Sequence, residues 1–193
     1  MGIEFELKYR ATEAQLSALE AAFPGNPQVI RMHTRYYDTK DRAFSGKKLT
    51  LRCRLENGLP VCTLKTPAGG NARGEFELPL ADIHQAAPEL CKQAGQGQLI
   101  PLLESGLEEV CGARFIRRAQ LLEFPEFTAE LALDRGVLTG GNKEIPLAEA
   151  EIELKSGSQE ALQVFGLLLE KKFGLIPEKL SKFRRALDLA KED

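Results

Sequence analysis

Two segments of this chain place acidic side chains at every second position. Because side chains of a strand point to opposite faces with a period of two, each segment is predicted to carry a row of carboxylates on one face. Like charges in a row repel each other, and carboxylate oxygens are the ligands that divalent cations prefer. The two rows therefore indicate a divalent metal site. They are Glu4 and Glu6, followed by Lys8, and Glu149, Glu151 and Glu153, followed by Lys155.

Other predicted strands also carry charges on one face and apolar residues on the other. A single such strand is most simply one side of a half-solvated sheet, but six of them predict a face rich in both acids and bases. Arginine and lysine bind phosphate oxygens, and carboxylates hold a metal that bridges phosphates, so a metal-bound polyphosphate would satisfy both signs of charge. Alternation does not decide between Arg117 and Arg118, which fall on opposite faces. The remaining charged residues on these faces are Arg52, Arg54, Lys65, Arg73, Glu75, Glu77, Glu130 and Asp134.

About eight strands are predicted to position these side chains, most of them joined by short turns. The sheet is therefore mainly antiparallel and the fold class α+β. If the sheet closes into a barrel with the helices outside, the charges point inward. Asn57-Gly58 predicts a tight hairpin turn. The predicted strands are 2–10, 29–38, 48–56, 59–66, 74–80, 113–124, 127–138 and 146–155, the predicted helices are 12–23, 158–173 and 181–191, and 67–72 is a predicted loop.

Composition predicts one globular domain over residues 1–193, with 82–110 as a helical insertion. The net charge of −2 and the acids interleaved with the bases argue against a nucleic-acid partner. No apolar run is long enough for a membrane span, and the four cysteines are expected to be free thiols in a reducing compartment. We therefore expect a cytoplasmic protein, monomeric or homodimeric, that binds neither nucleic acid nor membrane.

The usual nucleotide-binding and hydrolase motifs are missing. The stretch 45–48 lacks the upstream glycine and the following Ser or Thr of a Walker loop, and the two histidines, His33 and His84, form no Ser-His-Asp constellation. The chemistry is therefore expected to depend on the charged strands.

At this point the residues resemble a known family, the CYTH domains or triphosphate tunnel metalloenzymes. Each motif is weak alone, but the ordered set spans nearly the whole chain. Within the family, 36–80 is most similar to bacterial inorganic triphosphatases. The motifs are Glu4-Phe5-Glu6-Leu7-Lys8, Tyr36-Tyr37-Asp38-Thr39, Leu51-Arg52-Cys53-Arg54, Thr63-Leu64-Lys65, Leu133-Asp134-Arg135-Gly136, Glu149-Ala150-Glu151-Ile152-Glu153-Leu154 and Ser181-Lys182-Phe183-Arg184-Arg185.

The resemblance implies an eight-stranded antiparallel closed β-barrel, a tunnel that binds a triphosphate with Mg²⁺ or Mn²⁺. It implies hydrolysis of tripolyphosphate to pyrophosphate and phosphate. The alternatives are a class IV adenylate cyclase, a thiamine triphosphatase and a non-catalytic polyphosphate-binding module.

The resemblance also implies roles for individual residues. Glu4, Glu6 and Lys8 would be catalytic, with Glu4, Glu6, Glu151 and Glu153 as metal ligands. The phosphate-binding residues would be Lys8, Arg52, Arg54, Lys65, Arg117, Lys182 and Arg185, the last two from a C-terminal lid or plug helix at 180–191. Arg73, Glu75, Glu77, Asp134 and Glu149 would line the tunnel and support the ligands, and the four acids among them could instead hold a second metal.

Overall fold

The structure of the chain is a computed structural model that describes residues 2–69 and 73–191, with side chains from Phe5 onward. The predicted loop at 67–72 falls partly outside the described residues. The described strands are β1 (Gly2–Glu4), β2 (Glu6–Arg10), β3 (Gln28–Asp38), β4 (Thr50–Glu56), β5 (Leu59–Pro67), β6 (Arg73–Leu78), β7 (Glu108–Glu123), β8 (Phe127–Gly140), β9 (Lys143–Gly157) and β10 (Ile176–Pro177). The helices are α1 (Glu13–Ala22), α2 (Ala43–Gly46), α3 (Ile83–Gln93), α4 (Gln159–Phe173) and α5 (Lys182–Ala190), with a 3-10 helix at Gly97–Ser105.

The strands described form one antiparallel sheet in the order β1-β6-β5-β4-β3-β7-β8-β9-β2-β10. The α+β class is therefore confirmed. Within residues 2–69 and 73–191 the hydrogen-bonded order ends at β1 and at β10, so a closed barrel is not confirmed. The described part of the chain contains ten strands where about eight were predicted, because 2–10 is interrupted at Phe5 and because β10 adds a two-residue pairing with β2.

The break at Phe5 divides one segment of chain between distant parts of the sheet. β1 pairs with β6, whereas β2 pairs with β9. Only Phe5 separates β1 from β2 in the chain. The two ends of the strand order, where β1 and β2 lie, are therefore close together.

Local signals explain where several elements begin and turn. Asn57 and Gly58 adopt left-handed backbone angles (φ 51° and 88°) between β4 and β5, as the predicted hairpin requires. Thr12 and Gln15 form a capping box at the start of α1. Ser158 and Ser181 cap α4 and α5 by accepting a backbone hydrogen bond from the first turn.

Two apolar clusters lie on the face of the sheet opposite the charges. In the first, Tyr9 and Ile152 pack with Leu16 of α1 and Leu162 of α4. Gly166 of α4 is needed there, because a Cβ at this position would contact the Tyr9 hydroxyl. The second cluster packs β4 and β5 against α3 and the 3-10 helix. Each fully buried leucine in these clusters stabilises the fold by about 1.5–3 kcal/mol.

A third apolar cluster involves α5. Phe183 and Leu187 of α5 pack with Tyr36 and Phe115. Tyr36 lies opposite Arg52 on the neighbouring strand, and Phe115 lies two positions before Arg117, so both are on the charged face of the sheet. Helix α5 therefore covers the charged face, unlike α1 and α4. No helix among the described residues is long and apolar enough to cross a membrane.

Candidate active site

Three carboxylates from neighbouring strands converge at the centre of the charged face. Asp134 on β8 lies directly opposite Glu149 on β9, and Glu151 follows two positions later on the same face. Asp134 and Glu149 are fully buried. Each of the three residues offers a carboxylate oxygen, and these oxygens lie within 4.8 Å of one another. Such a group of hard oxygen ligands is compatible with a divalent cation.

The ammonium group of Lys182 lies among these carboxylates. Ser181 caps α5 and so places Lys182 in the first turn, where its side chain is only 9% exposed. Its Nζ lies 2.9 Å from Asp134 Oδ2 and 2.7 Å from Glu151 Oε1, and it also contacts Glu149. The cluster therefore already stabilises a positive charge at its centre.

Arg185, one turn later on α5, adds a second cation. Its guanidinium contacts Glu149, and its Nη1 lies 3.7 Å from the carboxylate of Glu178. Glu178 is nearly buried and also lies 3.6 Å from Arg10 on β2. These contacts fix α5 to both β9 and β2.

Strand β7 places Arg117, rather than Arg118, on the charged face. Arg117 donates two hydrogen bonds of 2.8 Å to the carboxylate of Asp134 and another to Glu151. Arg118 points to the other side, where its Nε lies 3.1 Å from Glu20 of α1. The geometry thus decides a choice that alternation left open.

A second charged group lies on strands β4 to β6. Arg52 Nη2 lies 3.0 Å from Glu75 Oε1, and Lys65 Nζ lies 3.3 Å from the same oxygen. Arg54 Nη2 lies 3.4 Å from Glu77 Oε1. Burial, followed by the charge of Arg52, lowers the pKa of Arg54 from its usual value. Burial disfavours any charge, but the positive charge of Arg52 that adds to this shift would attract an anion.

Tyr36 on β3 lies between the two groups. It is paired in register with Arg52 on β4, and its ring lies 5.1 Å from that of Phe183 on α5. Burial raises the pKa of the Tyr36 hydroxyl, and the charges of Arg52 and Lys182 oppose that rise. Tyr36 therefore experiences both groups, which indicates that they face a common space.

The N-terminal row lies beside the C-terminal one, as backbone register requires. Glu6 on β2 is paired with Glu153 on β9, and Lys8 is paired with Glu151. Lys8 Nζ lies 3.3 Å from Glu6, with both side chains 18% exposed. Glu153 also contacts Lys155 at 2.8 Å.

Two predicted residues are placed less centrally or lie outside what is described. The side chain of Glu4 falls outside the described residues; its backbone is paired with Arg73. Arg73 is exposed at the start of β6.

Within the acidic cluster, the pKa of Glu149 and the pKa of Glu151 are shifted in opposite directions. Burial raises the pKa of Glu149 to about 7; Lys182 opposes this shift, and the charge of Glu151 adds to it. Burial acts in the same direction on Glu151, but Lys182 and Arg117 hold its pKa well below its usual range. Burial lowers the pKa of Lys182, but the three carboxylates raise it overall. Lys182 is therefore charged, while Glu149 titrates near neutrality.

Sequence reasoning missed several residues of the site. The ring of Phe115 lies 5.7 Å from the guanidinium of Arg117 and 5.4 Å from the ammonium of Lys182, within range of a cation–π contact. Its position two residues before Arg117 could have revealed it. Arg10 continues the alternation of Glu4, Glu6 and Lys8 and could have been found from it, whereas Glu178 follows no periodic signal.

Comparison with known proteins places this arrangement in a family. A family model described as the CYTH domain matches residues 2–187. The inorganic triphosphatase of Haemophilus influenzae is 34% identical over 139 residues, which cover 70% of this chain and 39% of that protein. This chain thus spans about two-fifths of the length of that relative.

Solved structures share the fold at lower identity. A candidate adenylyl cyclase from Hippeastrum with a dominant triphosphatase activity has a TM-score of 0.61 at 17% identity, covering 100% of this chain and 96% of its own. The PH1819 protein of Pyrococcus horikoshii has a TM-score of 0.61 at 21% identity, covering 96% of this chain and 99% of its own. At these identities the likeness concerns the fold alone.

Proposed function

The chain belongs to the CYTH family, and we propose that it hydrolyses tripolyphosphate to pyrophosphate and phosphate with Mg²⁺ or Mn²⁺. The observation that carries this proposal is the pairing of two opposite kinds of site on one face of the sheet. Carboxylates converge around Asp134, and arginines and lysines line β4, β5, β7 and α5. A metal-bound triphosphate is a ligand that satisfies both. The inorganic triphosphatase among the relatives supports the same activity.

We further propose that the sheet closes into a tunnel with this face inside, formed by one domain over residues 1–193. The proposal is supported by the chain connection at Phe5. β1 pairs with β6 near one end of the strand order, β2 pairs with β9 near the other end, and β1 and β2 are consecutive in the chain. Helix α5 would then act as a lid or plug at the tunnel, since its apolar residues pack on the charged side.

The donor set fits a divalent cation of the Mg²⁺ or Mn²⁺ type. Asp134, Glu149 and Glu151 supply oxygens close enough to share one ion, and Glu6 and Glu153 lie along the same face. The set contains only oxygen ligands, which such hard cations prefer. When bound, the metal would neutralise phosphate charge and polarise a phosphorus–oxygen bond.

The basic residues would bind and orient the phosphate chain. Arg52, Arg54 and Lys65 approach it from one wall, and Arg117 and Lys182 from the other. Phosphoryl transfer depends mainly on positioning and on stabilising charge at the leaving oxygen, which these groups supply. Lys182 would leave the carboxylates for the phosphates when substrate enters, because both offer it anionic oxygens.

Glu149 is suited to accept the proton of the attacking water. A general base is most effective when its pKa lies near the working pH, and that of Glu149 is raised to about 7. Glu149 would remain able to ionise, because a divalent cation bound beside Asp134 and Glu151 would replace the positive charge that Lys182 supplies in the free protein. Glu6 and Lys8, on the facing strand, would hold water and phosphate in line.

A substrate panel tests the proposal. Purified protein is incubated with tripolyphosphate, ATP, thiamine triphosphate or long polyphosphate, with Mg²⁺ or Mn²⁺, between pH about 7 and 10, and phosphate and cyclic AMP are measured. We expect phosphate release to be fastest from tripolyphosphate. Cyclic AMP from ATP would replace the proposal with a cyclase.

A variant separates catalysis from binding alone. In Glu6→Gln, hydrolysis should fall steeply while binding of tripolyphosphate partly survives. Tight binding without turnover in the unmodified protein, with either metal, would instead identify a non-catalytic polyphosphate-binding module.

A further inference from the structure

Helix α4 carries an apolar face that points away from the core. Leu162, Gly166 and Leu169 are buried against the sheet. By contrast, three large apolar residues on the outer side are about three-fifths exposed: Val164 at 59%, Leu167 at 62% and Leu168 at 60%. Their spacing of three and four residues places them side by side on the helix. A single exposed leucine is ordinary on a protein surface, but a continuous stripe of three indicates a contact surface.

The charges at the two ends of this stripe have opposite signs. Glu160 lies one turn before Val164, and Lys171 lies one turn after Leu167 and Leu168; both are exposed. Along this face of the helix, an acidic residue is therefore followed by three apolar residues and then by a basic residue. The face is about 16 Å long at 1.5 Å per residue.

Such a face is complementary to itself when two copies run antiparallel. A two-fold axis near position 166 would place Val164 opposite Leu168 of a second copy and Leu167 close to its own counterpart. The same axis would place Glu160 opposite Lys171 of the second copy, twice. A face that pairs with itself about a two-fold axis is the usual basis of a homodimer.

We propose that the outer face of α4 is a homodimer interface in which two α4 helices pack antiparallel. The occupant is a second copy of this chain rather than an anionic membrane, because a membrane-binding helix carries bases along its flanks, whereas the bases of α4, Lys171 and Lys172, are both at one end and the acid Glu160 is at the other. The interface lies on the side of α4 that faces away from the sheet, so it is independent of the proposed hydrolysis.

Light scattering coupled to size exclusion tests the interface. At protein concentrations from about 1 to 100 µM, the unmodified chain should form a dimer, and Leu167→Glu should raise the dimer dissociation constant by at least about tenfold. Leu59→Glu is the matched control: Leu59 is 72% exposed in the β4–β5 hairpin and lies outside the stripe. It should leave the dimer intact. A monomer throughout this range, or equal effects of both substitutions, would overturn the proposal.

A charge exchange tests the antiparallel arrangement. Glu160→Lys or Lys171→Glu alone should weaken the dimer by about tenfold, since each change creates two repulsive pairs across the two-fold axis. The double variant should recover most of this loss. Glu160 also accepts a hydrogen bond from Ser158 Oγ at the helix start, so thermal unfolding of each variant is measured in parallel to confirm folding. A double variant that is folded and no tighter than the single variants would overturn the pairing.

Discussion

Replacing Lys182 by methionine should make the free protein dependent on divalent metal for stability. The substitution keeps most of the side-chain volume but removes the ammonium, which contacts Asp134, Glu149 and Glu151. Arg117 and Arg185 remain to compensate part of the charge. The buried carboxylates of Asp134 and Glu149 and the partly buried one of Glu151 would then share a space without their central cation.

The size of the effect follows from burial. The side chain of Lys182 is 9% exposed, so solvent screens these contacts weakly. Removing one partner of a buried ion pair costs about 3–5 kcal/mol. For a chain of this length, 1 kcal/mol corresponds to about 2–4 °C in Tm, so the variant should melt roughly 6–20 °C lower in the presence of a chelator.

Thermal unfolding with chelator and with Mg²⁺ measures this. Mg²⁺ at about 100 times its Kd would return about 2.7 kcal/mol, so it should raise the Tm of Lys182→Met more than that of the unmodified protein. Lys155→Met is the control, because Lys155 pairs with Glu153 at 2.8 Å but is 37% exposed, and should change Tm little. A Lys182 variant that melts like the control, or that gains no more from Mg²⁺ than the unmodified protein, would refute the reasoning.

Three further predictions concern single positions. Arg117→Met should lower kcat/KM for tripolyphosphate by about 100-fold or more, whereas Arg118→Met should change it less than about threefold; equal losses would contradict the assignment of faces. Glu149 has a raised pKa, so its contribution to stability is present below its ordinary value near 4.5 and is lost as the pH rises through about 7. In metal-free denaturant titrations, the free energy of unfolding of Glu149→Gln relative to that of the unmodified protein should therefore rise by about 3 kcal/mol between pH about 4.5 and 8. A difference between the two proteins that does not change with pH would argue against the raised pKa. Gly136→Ala should destabilise by about 2 kcal/mol or more in the same assay, because its Cβ would meet the backbone of the neighbouring strand, whereas Gly46→Ala has open space and should be nearly neutral.

Much of this fold could be predicted because its signals are local. The Asn57-Gly58 hairpin, the Thr12 cap and the Ser158 cap depend on residues within one turn of the chain. Alternation along each strand separated charged from apolar positions for the same reason. The charged rows indicated a divalent metal and a polyphosphate, and the family resemblance supplied the reaction and the roles of individual residues.

Contacts between distant segments could not be predicted in this way. The alternation through 2–10 is regular, yet the chain divides at Phe5 because its two halves pair with different strands. The choice of Arg117 over Arg118 depends on the register of β7 with β8, where Arg117 lies opposite Asp134. The position of Lys182 among three carboxylates depends on how α5 packs, which no pattern within 181–191 specifies.

Phosphorus-31 NMR of tripolyphosphate tests the central claim most directly, namely that this charged face hydrolyses a metal-bound triphosphate. With protein and Mg²⁺ or Mn²⁺, followed by chelation before the spectrum is recorded, the tripolyphosphate signals should be replaced by pyrophosphate and phosphate in equal amounts. With chelator present from the start they should persist. Unchanged tripolyphosphate with both metals, in protein shown by its melting curve to be folded, would contradict the account.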